Sequence, residues 1–157
     1  ENVAEWSDVI ALKQTLDGID TFGGSPLTAE LWNAGEIETD WVLSLKGFSA
    51  DIVNDSGITI PGKLGTSDGI HIYFTDNADA QLYLSQISRI GSDDEVRINS
   101  ATNLLEGYKD GKRTGNLYNK YKTKGTFFKI PTGQSYMALT GITNAAQVGI
   151  DYDYLFY

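Results

Sequence analysis

Aromatic, basic and amide side chains alternate along one polar stretch of the sequence, residues 108–124. The region from Lys109 to Lys129 carries seven of the twelve Lys and Arg residues of the chain. A flat aromatic ring can stack on the apolar face of a pyranose, and planar polar groups can hydrogen-bond its hydroxyls in pairs. This pattern predicts a carbohydrate-binding surface. The candidate residues, including one tryptophan beside a turn, are Trp32, Tyr108, Asp110, Arg113, Asn116, Tyr118, Asn119 and Tyr121.

Residues 108–124 have two other interpretations, a site for nucleic acid and a solvated loop. Basic residues interleaved with aromatics are also typical of sites for single-stranded nucleic acid. However, the net charge of −9 means that the domain as a whole repels a polyanion, so we expect no nucleic acid as a partner. The plain structural alternative is a solvated loop whose lysines keep a sheet edge soluble. Polysaccharide that bears phosphate would fit the local positive charge.

Side chains suited to catalysis or to metal binding are sparse. The single histidine, His71, is predicted to lie mid-strand, and nothing near it resembles a nucleophile elbow. The acidic residues 93–95 look like a turn, and Asp151 and Asp153 like the polar face of a strand, rather than a glycosidase pair. Residues 76–79 lack the spaced oxygen ligands of a calcium loop, and the chain has no cysteine. We expect no metal, no cofactor and no enzymatic activity.

Short strands at a spacing near ten residues must position these side chains. Apolar and polar residues alternate most clearly in residues 38–47, 69–74 and 148–157, and a β-rich run at residues 126–130 ends at a Pro-Thr-Gly turn. Seventeen glycines and many aromatics fit an all-β fold with many turns. The sequence predicts an antiparallel β-sandwich, or jelly roll, with at most one short helix.

A chain of 157 residues is expected to form a single domain, residues 1–157. Residues 1–32 form either an N-terminal strand and loop of that domain or a junction to a larger parent chain. Trp41 shares a strand face with two leucines, which favours a core position. The last strand is so apolar that we expect it to pair in the middle of a sheet. No run approaches the roughly 18 apolar residues of a membrane span, so no membrane is expected as a partner.

Four segments, taken in order, resemble the distal tail proteins of siphophages. The first is residues 33–47 (NAGEIETDWVLSLKG), and the second is residues 94–99 (DEVRIN) followed by an Asp-Gly turn at residues 108–111. The third is residues 128–134 (FKIPTGQ), and the last is the closing strand at residues 150–155 (IDYDYL). The resemblance covers about residues 33–157 of the chain.

The resemblance implies a galectin-like β-sandwich, and similar modules in larger versions of that family bind carbohydrate. It also implies a virion location at the phage tail tip, a hexameric ring in the parent protein and contact with other tail proteins. The expected ligand is host Gram-positive cell-wall polysaccharide. A purely structural baseplate domain that binds no sugar is the first alternative, and a cell-wall glycoside hydrolase is the second.

Overall fold

The computed structural model describes residues 2–3, 27–142 and 146–156. Within these ranges the regular structure consists of strands and one short 3-10 helix at Asn119–Tyr121. The strands are β1 (Asn2–Val3), β2 (Leu27–Asn33), β3 (Trp41–Lys46), β4 (Ile52–Val53), β5 (Thr59–Ile60), β6 (Lys63–Leu64), β7 (Ile70–Phe74), β8 (Asn77–Leu84), β9 (Ile87–Ser88), β10 (Glu95–Asn99), β11 (Leu104–Lys109), β12 (Lys112–Leu117), β13 (Lys122–Gly125), β14 (Gly133–Thr140) and β15 (Gln147–Tyr154).

Two antiparallel sheets pack face to face and enclose the hydrophobic core. One sheet has the strand order β1-β15-β3-β10-β11-β12, and the other has the order β13-β8-β7-β14-β2. Two short ribbons, β4–β5 and β6–β9, lie outside these sheets. The predicted all-β antiparallel sandwich is confirmed. No helix in the described part of the chain is long and apolar enough to cross a membrane.

The alternation of side chains in β3 sorts them between the core and the outer face. Trp41, Leu43 and Leu45 are each 1% exposed or less, which confirms the predicted core position of Trp41. The indole Nε1 of Trp41 donates a hydrogen bond to the backbone oxygen of Phe128 at 2.7 Å. Because that polar group is satisfied, the large ring is buried without the cost of a lost hydrogen bond.

The last strand, β15, follows its predicted alternation. Val148, Ile150 and Tyr152 are buried, whereas Asp151 and Asp153 are exposed. The strand pairs with β3 over residues 147–152 and with β1 at residues 153–154. In the sheet order it therefore lies between β3 and β1, but the two neighbours pair with successive stretches of it, and β1 covers only residues 153–154 of the edge that a bare apolar strand would present.

The β-rich run at residues 126–130 is not a strand, contrary to the prediction. It makes one isolated bridge, between Thr39 and Ile130, while Phe127 and Phe128 pack against the core. The packing of Phe127 and Phe128, the Trp41 indole bonded to the Phe128 carbonyl, and backbone hydrogen bonds at both ends of the segment hold it in place without a continuous strand ladder. The prediction of a strand and loop, or of a junction, at residues 1–32 falls mostly outside the described residues, which include only residues 2–3 and 27–32 of that segment.

Replacement of Trp41 by alanine tests the core assignment. The substitution removes a fully buried ring and its hydrogen bond, so we expect the free energy of unfolding to fall by about 3–5 kcal/mol. Urea denaturation followed by circular dichroism measures the change. Trp32→Ala is the matched control, because Trp32 is 58% exposed and its loss should leave the midpoint nearly unchanged. Equal stability of the two variants would contradict the assignment.

Candidate functional site

The polar stretch that the sequence singles out folds as a β-hairpin and not as an irregular loop. β11 pairs with β12, with Lys109 opposite Lys112, so that Asp110 and Gly111 form a two-residue turn. Their φ angles are 52° and 78°, as a type I′ hairpin turn requires. The Asp-Gly pair is a strong sequence signal for this turn, and it would have predicted the hairpin.

Tyr118 lies in the core, which corrects its prediction as a sugar-stacking residue. Its side chain is 0% exposed, and its hydroxyl donates to Oδ2 of Asp93 at 2.8 Å while accepting from the N–H of Ile90 at 2.9 Å. Burial raises the pKa of this hydroxyl well above its ordinary value; the Ile90 hydrogen bond opposes that shift, and the Asp93 carboxylate reinforces it. An enclosed ring has no face to offer a ligand, so Tyr118 has a structural role.

The two amides predicted to contact sugar hold the protein's own chain. Asn119 accepts the N–H of Leu105 at 2.9 Å and donates to the oxygen of Asn103 at 2.8 Å. Asn116 donates through Nδ2 to Oδ2 of Asp93 at 3.1 Å. Each end of the Asn119 amide thus has a backbone partner, which gives this side chain a structural role in holding the hairpin, while its contact with a ligand stays a prediction.

The remaining candidates of this region lie at or near the hairpin. Tyr108 stands opposite Arg113 in the strand register, and the guanidinium of Arg97 lies 3.8 Å from the centre of its ring. Arg113 forms an ion pair with Glu106, with Nε and Oε2 2.9 Å apart. Asp110 is exposed at the turn. These outward side chains remain a predicted surface, although Arg97 already covers one face of the Tyr108 ring.

Tyr121 lies apart from that outward group. It is half-buried, it packs against the core, and its ring centre is 6.1 Å from that of Tyr118. The ammonium of Lys120 lies 5.2 Å from the Tyr121 ring centre. The ring is therefore mainly a packing element at the crossing from β12 to β13.

A buried carboxylate lies on the outer face of the same sheet. Glu95 is 2% exposed, and it accepts hydrogen bonds from Nε of Arg97 at 2.7 Å and from the hydroxyl of Ser44. Burial alone would raise the pKa of Glu95, but the hydrogen bonds from Arg97 and Ser44 outweigh it and hold the pKa below its ordinary value. Glu95 is thus ionised at neutral pH and ties β10 to β3.

The neighbouring acidic residues also have partners of their own. Asp93 is 1% exposed and binds Tyr118, whereas Asp94 lies 3.7 Å from the ammonium of Lys109. The three carboxylates of residues 93–95 thus each have different hydrogen-bonding or ionic partners. Among the residues that the structure describes, no cluster of three or more His, Cys, Asp or Glu side chains could hold a metal ion.

Trp32 lies on the five-stranded sheet, apart from the other predicted ligand residues. It belongs to the edge strand β2, is 58% exposed, and stands opposite Gln134 of β14. The amide of Gln134 and the hydroxyl of Tyr136, which is 3.1 Å away, both donate to Oε2 of Glu30. The hydrogen bond to Glu30 raises the pKa of Tyr136. An exposed indole thus lies beside planar polar groups that the protein has already oriented.

A stack of three rings lies further along the outer face of this sheet. His71 of β7 is stacked between Tyr73 and Tyr83, with ring centres 4.3 and 4.1 Å away. Nε2 of His71 hydrogen-bonds to Oε1 of Gln81, and the hydroxyl of Tyr83 donates to the same oxygen at 3.4 Å. His71 therefore lies mid-strand on the face opposite its buried neighbours, as predicted.

Beside this stack lies a concavity of about 600 Å³. The His71 and Tyr83 rings form part of its wall, and several hydroxyl side chains and one carboxylate line the rest. The polar lining residues are Thr66, Ser67, Asp68, Ser85, Thr123 and Thr140. A concavity of this composition suits a ligand with many hydroxyl groups.

The eight predicted residues therefore do not form one site. Trp32 lies on the five-stranded sheet, and the others lie on or after the β11–β12 hairpin of the opposite sheet. Sequence reasoning missed Glu30, Gln134, Tyr136 and Tyr83 as possible ligand contacts. Alternation shows that each points outward, but only the pairing of β2, β14, β7 and β8 brings them together.

Replacement of Tyr118 by phenylalanine tests its structural role. The ring remains, but the Asp93 carboxylate and the Ile90 N–H lose a buried partner, so we expect a loss of about 1–3 kcal/mol in the free energy of unfolding. Thermal denaturation measures it. Tyr121→Phe, which keeps a half-buried ring of the same cluster, should be nearly neutral. If Tyr118→Phe were as stable as the wild type but bound a ligand less tightly, the structural role would be wrong and a binding role correct.

Comparison with known proteins gives one distant likeness. No protein-family model and no curated protein matches the chain. Among solved structures, the chain is similar to the Dit protein of SPP1, described as a hub of the adsorption apparatus in phages that infect Gram-positive bacteria. The TM-score is 0.42 and the sequence identity 9%, over 83% of this chain and 47% of that one. The chain thus spans about half the length of that protein, and the likeness is too weak to place it in a family.

Proposed function

We propose that the chain is a non-catalytic carbohydrate-binding module of a phage tail-tip protein, which adheres to cell-wall polysaccharide of a Gram-positive host. The observation that carries the proposal is the surroundings of Trp32. This indole is 58% exposed and lies opposite Gln134, whose amide is oriented by Glu30. An exposed aromatic ring beside fixed planar hydrogen-bonding groups is the combination that a pyranose requires.

The exposure of Trp32 has a physical cost that a ligand would offset. An exposed large apolar side chain on an edge strand favours contact with other chains, and proteins generally protect such edges. Here the outward neighbours of Trp32 are Glu30, Gln134 and Tyr136, which are polar and hydrogen-bonded to one another. They suit a hydroxyl-rich ligand better than an apolar protein surface.

The phage context rests on the four ordered sequence segments across residues 33–157. It implies that the parent protein forms a hexameric ring beside other tail proteins in the virion. A single sugar site of this size binds weakly, because few groups are buried. Several copies on one particle would raise the effective concentration and hence the avidity for a cell surface.

Replacement of Trp32 by alanine tests the proposal. We expect the variant to fold normally and to bind cells about tenfold less tightly or worse, because a central aromatic contact is lost. The measurement is the labelling of a panel of Gram-positive cells by a fluorescent fusion of residues 1–157, with purified wall polysaccharide as competitor. No labelling of any strain by the folded wild-type fusion would refute the proposal.

Two comparison variants locate the site. Leu117→Ala removes a similarly exposed apolar side chain from the opposite sheet, 51% exposed, and should bind like the wild type. The double variant Tyr108→Ala/Arg113→Ala removes the outward side chains of the β11–β12 hairpin. Loss of binding in this double variant, with normal binding by Trp32→Ala, would move the site to the hairpin.

A second candidate function, contact with a neighbouring protein of the tail, is favoured by the β4–β5 ribbon. Its residues 50–61 are all exposed, and four of them are large aliphatics. These are Ile52 at 63%, Val53 at 64%, Ile58 at 61% and Ile60 at 41% exposure. A concentration of exposed β-branched side chains is typical of a surface that another protein covers.

The ribbon is held firmly at its base and its tip. Nη2 of Arg89 donates to the oxygen of Ser49 at 2.9 Å, and Asp51 accepts the N–H of Gly62 at 2.7 Å. At the tip, Oδ1 of Asn54 accepts the N–H of Ile58 at 3.0 Å. A preorganised ribbon loses little entropy when a partner binds it, which supports a docking role.

The double variant Val53→Ser/Ile58→Ser tests this second function. Both side chains are more than half exposed, so the melting temperature and the polysaccharide binding should not change. Incorporation of the parent protein into assembled tails should fall, because the apolar contact is lost. Complementation of a phage that lacks the parent gene, followed by immunodetection of purified tails, measures incorporation. Normal incorporation would refute the docking role.

A further inference from the structure

Four aromatic residues lie on one diagonal across the outer face of the five-stranded sheet. In the strand register, Trp32 stands opposite Gln134, two positions before Tyr136 of β14. Tyr73 stands opposite Ala138, two positions after Tyr136, and Tyr83 stands opposite His71, two positions from Tyr73. Each step moves one strand across and two residues along. We call Trp32, Tyr136, Tyr73 and Tyr83 the aromatic diagonal.

The aromatic diagonal is longer than a single sugar ring. Diagonal neighbours on one face of a sheet lie about 7–8 Å apart, so three steps span about 20 Å. All four members alternate with buried residues along their strands, so all four point to the same outer face. The row is therefore long enough to follow a chain of several linked units.

Both ends of the aromatic diagonal carry oriented polar groups. At the Trp32 end, Glu30 fixes the amide of Gln134 and the hydroxyl of Tyr136. At the Tyr83 end, Gln81 accepts from Tyr83 and bonds to His71, and the 600 Å³ concavity adds several hydroxyl side chains. His71 covers one face of the Tyr73 ring and one face of the Tyr83 ring, so a ligand at this end would meet their remaining surface and the polar groups beside them. The repetition of a ring beside a planar polar side chain at both ends fits a ligand that itself repeats.

The side chains on this face differ in type from those of the surface proposed to dock another protein. The exposed or half-exposed outward positions of the aromatic diagonal and its neighbours hold rings, amides, hydroxyls and the Glu30 carboxylate, whereas the exposed aliphatics Ile52, Val53 and Ile58 concentrate on the β4–β5 ribbon. The charge along the row is low and mixed, with Glu30 at one end and Lys124, 5.0 Å from the Tyr83 ring, at the other. A polyanion would find no continuous positive strip here.

From this arrangement we infer that the aromatic diagonal is an extended track that takes an internal segment of a linear, largely uncharged polysaccharide. The inference rests on the proposed carbohydrate-binding function and extends it, since it specifies a polymer segment and not a terminal monosaccharide as the ligand. Trp32 is one end of the track, and the Tyr83 concavity is the other.

Binding to saccharides of graded length tests the track. The probe is wall polysaccharide released by mild acid from a strain that the fusion labels, separated into fragments by size, and titrated calorimetrically against residues 1–157. Affinity should rise by about tenfold between fragments that reach one ring and fragments that span about 20 Å, and then level off. Tyr83→Ala should bind the long fragments like the short ones, whereas Trp32→Ala should weaken binding at every length.

The outcomes distinguish the track from the proposed function. Length-independent binding that still requires Trp32 would overturn the track and leave the carbohydrate-binding function standing. No binding of any fragment by the folded wild type would overturn both. Thr140→Arg blocks the concavity without removing a stacked ring, so it covers the case in which Tyr83→Ala fails to fold. Normal binding of long fragments by Thr140→Arg would also overturn the track.

Discussion

The contact between Trp41, Phe128 and Phe74 joins the two sheets, and the rest of the sandwich depends on it. The Phe128 ring centre lies 5.4 Å from Trp41 in the six-stranded sheet and 4.9 Å from Phe74 in the five-stranded sheet. The carbonyl of Phe128 also accepts the Trp41 indole N–H. Because this bridge holds residues 126–130 between the layers, β13 and β14 on either side are positioned at the edge and the interior of the five-stranded sheet, and its outer face is set.

Alternation predicts the strands that are buried on one face. The inward sets Trp41, Leu43, Leu45 and Val148, Ile150, Tyr152 follow it residue by residue. Alternation fails at residues 126–130, because a run of β-forming residues has the same sequence pattern whether it pairs with a strand or packs its aromatic side chains between the two sheets. It also fails at residues 104–117, because β12 is an edge strand in which residues on both faces are exposed, so its sequence shows no alternation; the Asp-Gly turn marks the hairpin instead.

The candidate site was harder to predict than the fold because it depends on which strands are neighbours. Trp32 could be singled out from its place beside a turn, but Gln134 is about a hundred residues away in sequence and becomes its neighbour only through the pairing of β2 with β14. Tyr118 was instead assigned to the ligand surface, although the structure buries it. Its polar sequence neighbours suggested exposure, while a buried carboxylate, Asp93, provided the partner that lets its hydroxyl enter the core.

The placement of the aromatic diagonal on paired strands, and not on loops, bears on how such a surface can change during evolution. A one-residue insertion in β14 would turn the outward Tyr136 toward the core and a buried neighbour toward solvent, so the framework cannot accept it cheaply. An outward substitution leaves every inward contact as it is. Ligand preference on this sheet can therefore shift by single substitutions, one ring or one amide at a time, while the sandwich remains unchanged.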